Sequence, residues 1–174
     1  MIIVKNLTKH FGTKEIIRDF SYNFPSGNKI AIVGANGVGK TTLINILIGL
    51  EEYDGGEIII PKDCVIGYIP QVPCSNPKNT ILEECLSGNK NLYNLRNEVN
   101  NLLIEMELNF SEEIYNKYLL KEEEFSHLDG YSFESNAKAL LSGLEFSQEQ
   151  FDKSPLQLSG GWRMRLELAK MLIK

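Results

Sequence analysis

Residues 34–42 read Gly34-Ala35-Asn36-Gly37-Val38-Gly39-Lys40-Thr41-Thr42 and fit the pattern G-x-x-x-x-G-K-[ST]. The glycines allow a tight turn whose backbone N–H groups point inward at the start of a helix. Such a nest binds anions without the help of any side chain. We call residues 34–42 the P-loop, and its spacing predicts a site for the phosphates of a nucleotide.

The side chains that end the P-loop have predicted roles of their own. Lys40 is expected to reach the β and γ phosphates as a mobile positive charge. The Thr41 hydroxyl is expected to coordinate Mg²⁺, which prefers oxygen ligands. Thr42 is expected to donate a hydrogen bond to the α phosphate.

The segments beside the P-loop favour this reading over a chance glycine-rich turn. Residues 29–33 (Lys-Ile-Ala-Ile-Val) predict a buried parallel strand before the loop. The apolar residues of 43–48 predict a helix after it, which Gly49 ends. Strand, loop and helix therefore follow one another in the order that a nucleotide site requires.

Length and composition indicate a soluble globular protein. The 174 residues are 43% hydrophobic and 24% charged, which is ordinary for a domain with a real core. The longest apolar stretch, 43–50, is far shorter than the roughly 20 residues that span a bilayer. No signal sequence follows Met1, so we expect a cytoplasmic protein with no direct membrane insertion.

The three cysteines predict neither a disulfide framework nor a zinc site. Cys64, Cys74 and Cys85 are odd in number and lack C-x-x-C spacing. We expect reduced, partly buried thiols.

The first part of the chain is predicted to be rich in strands and the second part in helices. Short β-branched or aromatic runs predict strands over 2–7, 16–24, 29–33, 57–60 and 65–69. Helices are predicted over 112–124 and 133–141, and Ser147 to Gln150 fits a capping box for a short further helix.

An apolar stripe at helical spacing predicts another helix in the second part. We expect the stripe to pack against a neighbouring helix rather than to bind a partner. It consists of Leu92, Leu95, Val99, Leu102, Leu103 and Met106.

A second motif near the end of the chain narrows the family. Leu158-Ser159-Gly160-Gly161-Trp162-Arg163-Met164-Arg165, in a chain that also has a P-loop, resembles the signature motif of ATP-binding cassette (ABC) proteins. A hydroxyl and backbone amides at a helix start converge on an anion, although the same residues could form a plain helix cap. The resemblance implies that Leu158, Ser159, Gly160 and Gly161 contact an ATP held by a partner cassette.

Two further residues fit the ABC resemblance. Phe11, in Lys9-His10-Phe11-Gly12, stands where the family has an aromatic ring that stacks on adenine; taken alone it would be a core or turn residue. Gln71 ends Ile-Gly-Tyr-Ile-Pro-Gln and resembles the family's Q-loop glutamine, which binds Mg²⁺ and orients the attacking water. The alternative for Gln71 is a solvent-facing loop residue.

The resemblance implies an α/β fold, a P-loop NTPase nucleotide-binding domain of the ABC type. Residues 1–71 would form an ATP-binding core with an antiparallel β subdomain, and 72–157 a helical subdomain with extra helix such as an arm insertion. Residues 158–174 would form the signature and the helix after it. The cofactors implied are ATP and Mg²⁺.

The family's Walker B strand, catalytic glutamate and switch histidine are not found in the sequence. His10 and His127 stand in the wrong places for the switch. We therefore expect the N-terminal part of a first cassette, truncated before Walker B. Alone it would bind MgATP weakly and hydrolyse little, because the group that activates water is missing.

Residues 162–165 resemble the ABC-F group, soluble tandem-cassette ATPases that act on translating ribosomes, some of them protecting against antibiotics. The implied partners are a second cassette, head to tail in the intact protein, and the ribosome with its RNA. Residues 72–157 carry a net charge of −8, which disfavours direct RNA contact there. The alternatives are the ATP-binding subunit of an ABC membrane transporter and a nucleotide-binding regulatory module without turnover.

Overall fold

The computed structural model describes residues 1–73 and 75–173. They divide into two compact units, the first comprising Met1–Ile66 and the second beginning at Gly67. The three-part division expected from the sequence, 1–71, 72–157 and 158–174, stays a prediction.

The first unit is a three-stranded antiparallel sheet with one helix. Strand β1 (Ile2–Phe11) pairs with β2 (Lys14–Phe24) on one side and with β3 (Gly55–Ile59) on the other. Ile3 lies opposite Asn23 of β2 and Ile59 of β3. Helix α1 (Lys40–Leu47) supplies the apolar residues that cover the sheet. The core of this unit consists of Val4, Leu7, Ile17, Leu43 and Ile46.

Two predicted strands of the first 71 residues are not formed. Residues 29–33 and 65–69 have irregular backbone, and Ile30 and Val33 are 41% and 87% exposed. A buried parallel strand needs neighbours on both sides. The strands in the described part of the chain pair with one another, so neither run gains a partner. The prediction of a buried strand before the P-loop is therefore wrong for this structure.

The second unit is helical. Its helices are α2 (Ile81–Leu86), α3 (Lys90–Leu108), α4 (Glu112–His127), α5 (Gly130–Gly143) and α6 (Gly160–Leu172), with two short 3₁₀ turns at Gln148–Gln150 and Pro155–Gln157. The capping box predicted for Ser147 and Gln150 is confirmed. A second capping box, between Thr80 and Glu83, begins α2.

The stripe on α3 packs as predicted over its first half. Leu92, Leu95 and Val99 are buried in the core of the second unit. Leu103 is 39% exposed, so the later part of the stripe lies near the surface. The largest fully buried side chains of this core include Ile81, Leu86, Leu141 and Leu166.

A buried charge cluster joins α2 to α6. Glu84 accepts a hydrogen bond from the Lys170 ammonium at 2.6 Å, and Lys170 lies 3.2 Å from Glu167. The second carboxylate oxygen of Glu84 accepts from the Asn79 amide at 3.0 Å and from the Asn76 backbone at 3.2 Å. Because both buried oxygens of Glu84 have partners, the cluster fixes the pairing of the two helices.

Among the residues that the structure describes, no helix is both long enough and apolar enough to cross a membrane.

The cysteines differ in their surroundings. Cys85 is buried, as expected, but Cys64 is exposed, so the prediction of a partly buried thiol is wrong there; Cys74 lies outside the described residues. Burial raises the pKa of the Cys85 thiol to about 12, against an opposing effect of the nearby Lys170 charge.

We expect iodoacetamide at pH 8 to modify Cys64 and to leave Cys85 unmodified in the folded chain. The thiolate is the reactive species, and burial of Cys85 both disfavours it and blocks access. Peptide mass spectrometry of the alkylated protein measures each site. The same treatment in denaturant is the control and should modify both thiols. Equal modification of Cys85 in the folded and denatured chain would contradict the prediction.

Candidate functional site

The P-loop leads directly into α1 in the first unit. Gly37 and Gly39 have φ values of 82° and 96°, in the left-handed region that residues with a Cβ rarely adopt. Gly39 also approaches β2 closely, since a Cβ at this position would lie 2.7 Å from Ile16 Cγ2 and 3.2 Å from the Ile16 carbonyl oxygen. The pattern of glycines is therefore explained by backbone conformation and by close contact with β2.

The start of α1 leaves backbone donors without partners in the helix. The first hydrogen bond of the helix is donated by Leu43 to the Gly39 carbonyl at 2.8 Å. The amides of Lys40, Thr41 and Thr42 precede this bond, and Gly39 at the N-cap has no side chain to satisfy them. The first turn of α1 also lacks an acidic residue. These donors and the helix dipole favour an anion at this end.

Lys40 folds back over the P-loop. Its ammonium donates hydrogen bonds to the carbonyl oxygens of Gly34 at 2.9 Å and Ala35 at 2.7 Å. The positive charge thus lies over the loop that the sequence predicts as the phosphate site. Thr41 is exposed and Thr42 is half-buried, and both lie in the first turn of α1.

A cavity of about 280 Å³ adjoins the inner side of the P-loop. Its lining is mostly apolar, from β2, α1 and the 29–33 run, with Gly39 and Lys40 at its edge. Arg18 also lines it, and the cavity shares Gly39 and Lys40 with the predicted phosphate site.

Phe11 ends β1 with its ring 50% exposed. The Lys9 ammonium lies 4.9 Å from the centre of this ring, within the range of a cation–π contact. Lys9 is itself nearly buried, and Glu51, which follows α1, binds its ammonium at 2.8 Å. The ring is therefore exposed while the charge beside it is held inside the unit.

Asp54 supports the same end of β1. Its backbone amide donates to the Thr8 carbonyl at 2.9 Å, and its carboxylate accepts from the His10 backbone amide at 2.6 Å. This backbone hydrogen bond is the main cause that lowers the pKa of Asp54 below its ordinary value of 3.8. Desolvation opposes it as the second-largest cause, while the His10 ring and the charges of Lys9 and His10 add to the lowering.

We expect the contact of Asp54 with β1 to survive mild acid. A lowered pKa means that the contact contributes stability above pH 3.8 and loses it as the pH falls through the lowered value. The amide chemical shift of His10, followed by NMR from pH 6 to pH 2, should show its inflection below pH 3.8. The inflection should disappear in Asp54→Asn. An inflection above pH 3.8 would contradict the assignment.

The signature residues lie at the start of α6 in the second unit. Ser159 is the N-cap, its hydroxyl makes no capping hydrogen bond, and Gly160 and Gly161 form the first turn. Leu158 packs against the core of this unit. Arg163 donates to the carbonyls of Leu158 at 3.0 Å and Leu156 at 2.8 Å, which fixes the segment before the helix.

Trp162 and Arg165, read from the sequence as a subfamily feature, have packing roles here. The Trp162 ring lies edge-on to Phe146 with their centres 4.9 Å apart. The Arg165 guanidinium lies 4.6 Å from the centre of the Trp162 ring and hydrogen-bonds Glu145. The two side chains therefore attach the first turns of α6 to the segment after α5.

The predicted site residues are divided between the units. Phe11 and the P-loop belong to the first unit, whereas Gln71, which is exposed in a bend, and the signature belong to the second. The roles predicted for all of them stay predictions. Sequence reasoning missed Lys9, Glu51 and Asp54. Strand alternation could have indicated Lys9, because residues 9 and 11 share one face of β1.

Comparison with known protein families shows which family the chain belongs to. The sequence profile described as ABC transporter matches residues 17–174. The chain belongs to the ABC transporter family. The resemblance inferred from the P-loop and signature is thereby confirmed. Membership places the chain among the ABC ATPases, whose domains bind ATP.

Relatives from the ABC family align over almost the whole chain. YdiF of Bacillus subtilis is 35% identical over 173 residues, which are 98% of this chain and 27% of that protein. The "Uncharacterized ABC transporter ATP-binding protein YkpA" of the same organism is 30% identical over 99% of this chain and 32% of its own. The "Energy-dependent translational throttle protein EttA" of Mycobacterium tuberculosis is 28% identical over 98% of this chain and 30% of its own. The chain thus spans about a third of the length of these relatives.

Solved structures of ABC cassettes share the fold. An "ATP binding subunit of ABC transporter" aligns with a TM-score of 0.63 at 21% identity, over 99% of this chain and 62% of that one. The "Dimeric Structure of MJ0796, a Bacterial ABC Transporter Cassette" aligns with a TM-score of 0.62 at 23% identity, over 99% and 69%. The predicted α/β fold of an ABC nucleotide-binding domain is confirmed.

Proposed function

We propose that this chain is the nucleotide-binding part of an ABC-F-type ATPase that acts on the ribosome in the cytoplasm. The observation that carries the nucleotide site is the Lys40 ammonium over Gly34 and Ala35, at the uncapped start of α1. The assignment to the ABC-F subfamily is supported by the relatives, since one of them is named a translational throttle protein.

The proposed site uses the chain's own donors to bind a triphosphate. Backbone amides along the P-loop would donate hydrogen bonds to the phosphate oxygens. These amides belong to Gly34, Ala35, Asn36, Gly37, Val38 and Gly39 and to the first helical residues Lys40, Thr41 and Thr42. Lys40 would exchange its two carbonyl acceptors for β and γ phosphate oxygens, which are stronger acceptors for an ammonium. The Phe11 ring would stack on the base.

Thr41 is exposed and follows Lys40 directly, and its hydroxyl would offer Mg²⁺ the oxygen ligand that this ion prefers. When bound, Mg²⁺ would neutralise charge on the β and γ phosphates. Gln71 keeps its predicted part as a magnesium ligand and water-orienting residue, by resemblance to the family's Q-loop.

A second cassette is the proposed partner of the signature residues. Ser159, Gly160 and Gly161 would present a hydroxyl and helix-start amides to an ATP held by that cassette. The dimeric MJ0796 cassette supports such pairing within the family. By resemblance to the family, each P-loop of such a pair would face the signature motif of the other cassette.

Ribosome binding can be separated from transport by locating the native protein. We would tag the gene product in its source cells, release it in the presence of a non-hydrolysable ATP analogue, and separate ribosomes from membranes on a sucrose gradient. Co-migration with ribosomes that depends on the analogue supports the proposal. Co-migration with membranes would instead support the ATP-binding subunit of an ABC membrane transporter.

A further inference from the structure

The Phe11 ring is in contact with the ammonium group of a nearly buried lysine, Lys9, in the first unit. The Lys9 side chain is 9% exposed, and its ammonium lies 4.9 Å from the ring centre. Lys9 and Phe11 are two residues apart on β1, so their side chains leave the same face of the strand. The ring itself is half exposed. An ammonium beside an aromatic face attracts its π electrons and favours one orientation of the ring.

Glu51 keeps the ammonium in this place. Its carboxylate binds Lys9 Nζ at 2.8 Å, and its own side chain is 32% exposed. A nearly buried ammonium that left this carboxylate would lose its compensating charge, so Lys9 cannot readily swing away from the ring. Glu51 follows α1, the helix that begins at the P-loop. The pair Lys9 and Glu51 therefore joins the strand that carries Phe11 to the segment that follows α1.

We infer that Lys9, held by Glu51, is a positioning residue that orients the Phe11 ring for stacking on the base of a purine nucleotide. The inference rests on the proposed nucleotide site. An ordered ring loses less conformational freedom when a base stacks on it, which raises affinity for the base. The phosphates bind to the P-loop and gain nothing from this order. Lys9 should therefore affect affinity for ATP and leave affinity for inorganic triphosphate unchanged.

The experiment compares two probes on matched variants. Calorimetric titrations with MgATP and with magnesium tripolyphosphate measure binding to the 174-residue chain and to Lys9→Met. We expect Lys9→Met to lower ATP affinity about three- to tenfold and to leave tripolyphosphate affinity unchanged. Lys9→Arg should restore most of the loss, because it keeps the cation. Lys5→Met is the matched control, since Lys5 lies on the same strand in an exposed pair with Glu57.

A double-mutant cycle tests whether Lys9 acts through the ring. Phe11→Ala should lower ATP affinity, and adding Lys9→Met to it should cause no further loss. Equal losses for both probes, an undiminished Lys9 effect in Phe11→Ala, or no effect of Lys9→Met would each overturn the inference. If the unsubstituted chain binds tripolyphosphate but binds ATP no better, the phosphate site stands and the inference fails. If it binds neither probe, the proposed nucleotide site fails as well.

A measurement on the nucleotide-free chain guards against a variant that does not fold. The ε-methylene protons of Lys9 should show an upfield ring-current shift by NMR, and this shift should vanish in Phe11→Leu. Glu51→Gln should weaken the shift and should reproduce the selective loss of ATP affinity without removing Lys9. A Lys9 shift that is unchanged by Phe11→Leu would overturn the inference.

Discussion

Lys40→Ala should lower the affinity of the chain for MgATP by about 10- to 100-fold, the loss expected when a charged hydrogen-bonding partner of a phosphate is removed. The reason is local, because the Lys40 ammonium now lies over the P-loop at 2.9 Å and 2.7 Å from the carbonyls of Gly34 and Ala35. Calorimetric titration with MgATP measures the change. Tripolyphosphate should lose affinity in parallel, in contrast with the base-selective effect expected at Lys9.

Lys62→Ala is the control for Lys40→Ala. Lys62 is an exposed lysine of the same unit and lies outside the P-loop, so its removal changes the net charge equally. Circular dichroism should show that both variants stay folded. Unchanged ATP affinity in a folded Lys40→Ala chain would refute the proposed role of this residue and of the P-loop as a phosphate site.

Gly88→Ala should destabilise the second unit by about 3 kcal/mol, near the upper range for overpacked sites. A Cβ at Gly88 would lie 2.0 Å from the Lys170 carbonyl oxygen and 2.8 Å from Ile173 Cγ2. The nearer atom is backbone, so relief requires α6 to move away from the segment after α2. Such a movement would also disturb the ion pair of the half-buried Lys170 with the buried Glu84. Thermal unfolding should show the midpoint lowered by about 10 °C.

Gly143→Ala is the matched control. Gly143 is the last residue of α5, and a Cβ there would meet nothing within 4 Å. Its effect should stay within about 1 kcal/mol and should favour the folded state, because alanine restricts the unfolded chain. If Gly88→Ala unfolds at the same temperature as Gly143→Ala, the close approach of Gly88 to α6 is not a feature of the protein in solution.

The sequence predicted those features of the candidate site that are formed by residues close together in the chain. The glycines of the P-loop and the Ser159 cap need specific backbone geometry over a few residues, and this requirement is visible as spacing. Helices α3, α4 and α5 were predicted for the same reason. The stripe from Leu92 to Val99 and the box at Ser147 follow local periodicity and capping.

The parts that were missed depend on residues distant in sequence. Glu51 meets Lys9 across 42 positions, and no pattern at either residue indicates the other. The 29–33 run has the composition of a buried strand, yet strand formation needs a partner that composition cannot supply. The structure leaves that run irregular and exposes Val33. The composition of residues 29–33 therefore indicated that they could form a strand, but without hydrogen bonding to a neighbouring strand they did not.

The two units differ in the size of their cores. Among the residues that the structure describes, five buried apolar side chains form the core of the first unit and sixteen form that of the second. Apolar burial is the main source of folding free energy, so the unit that carries the P-loop has the smaller intrinsic reserve. A nucleotide at 100 times its dissociation constant would add about 2.7 kcal/mol to the folded state of that unit alone. Nucleotide bound at the proposed site would therefore shift the folding equilibrium of the P-loop unit toward the folded state by mass action.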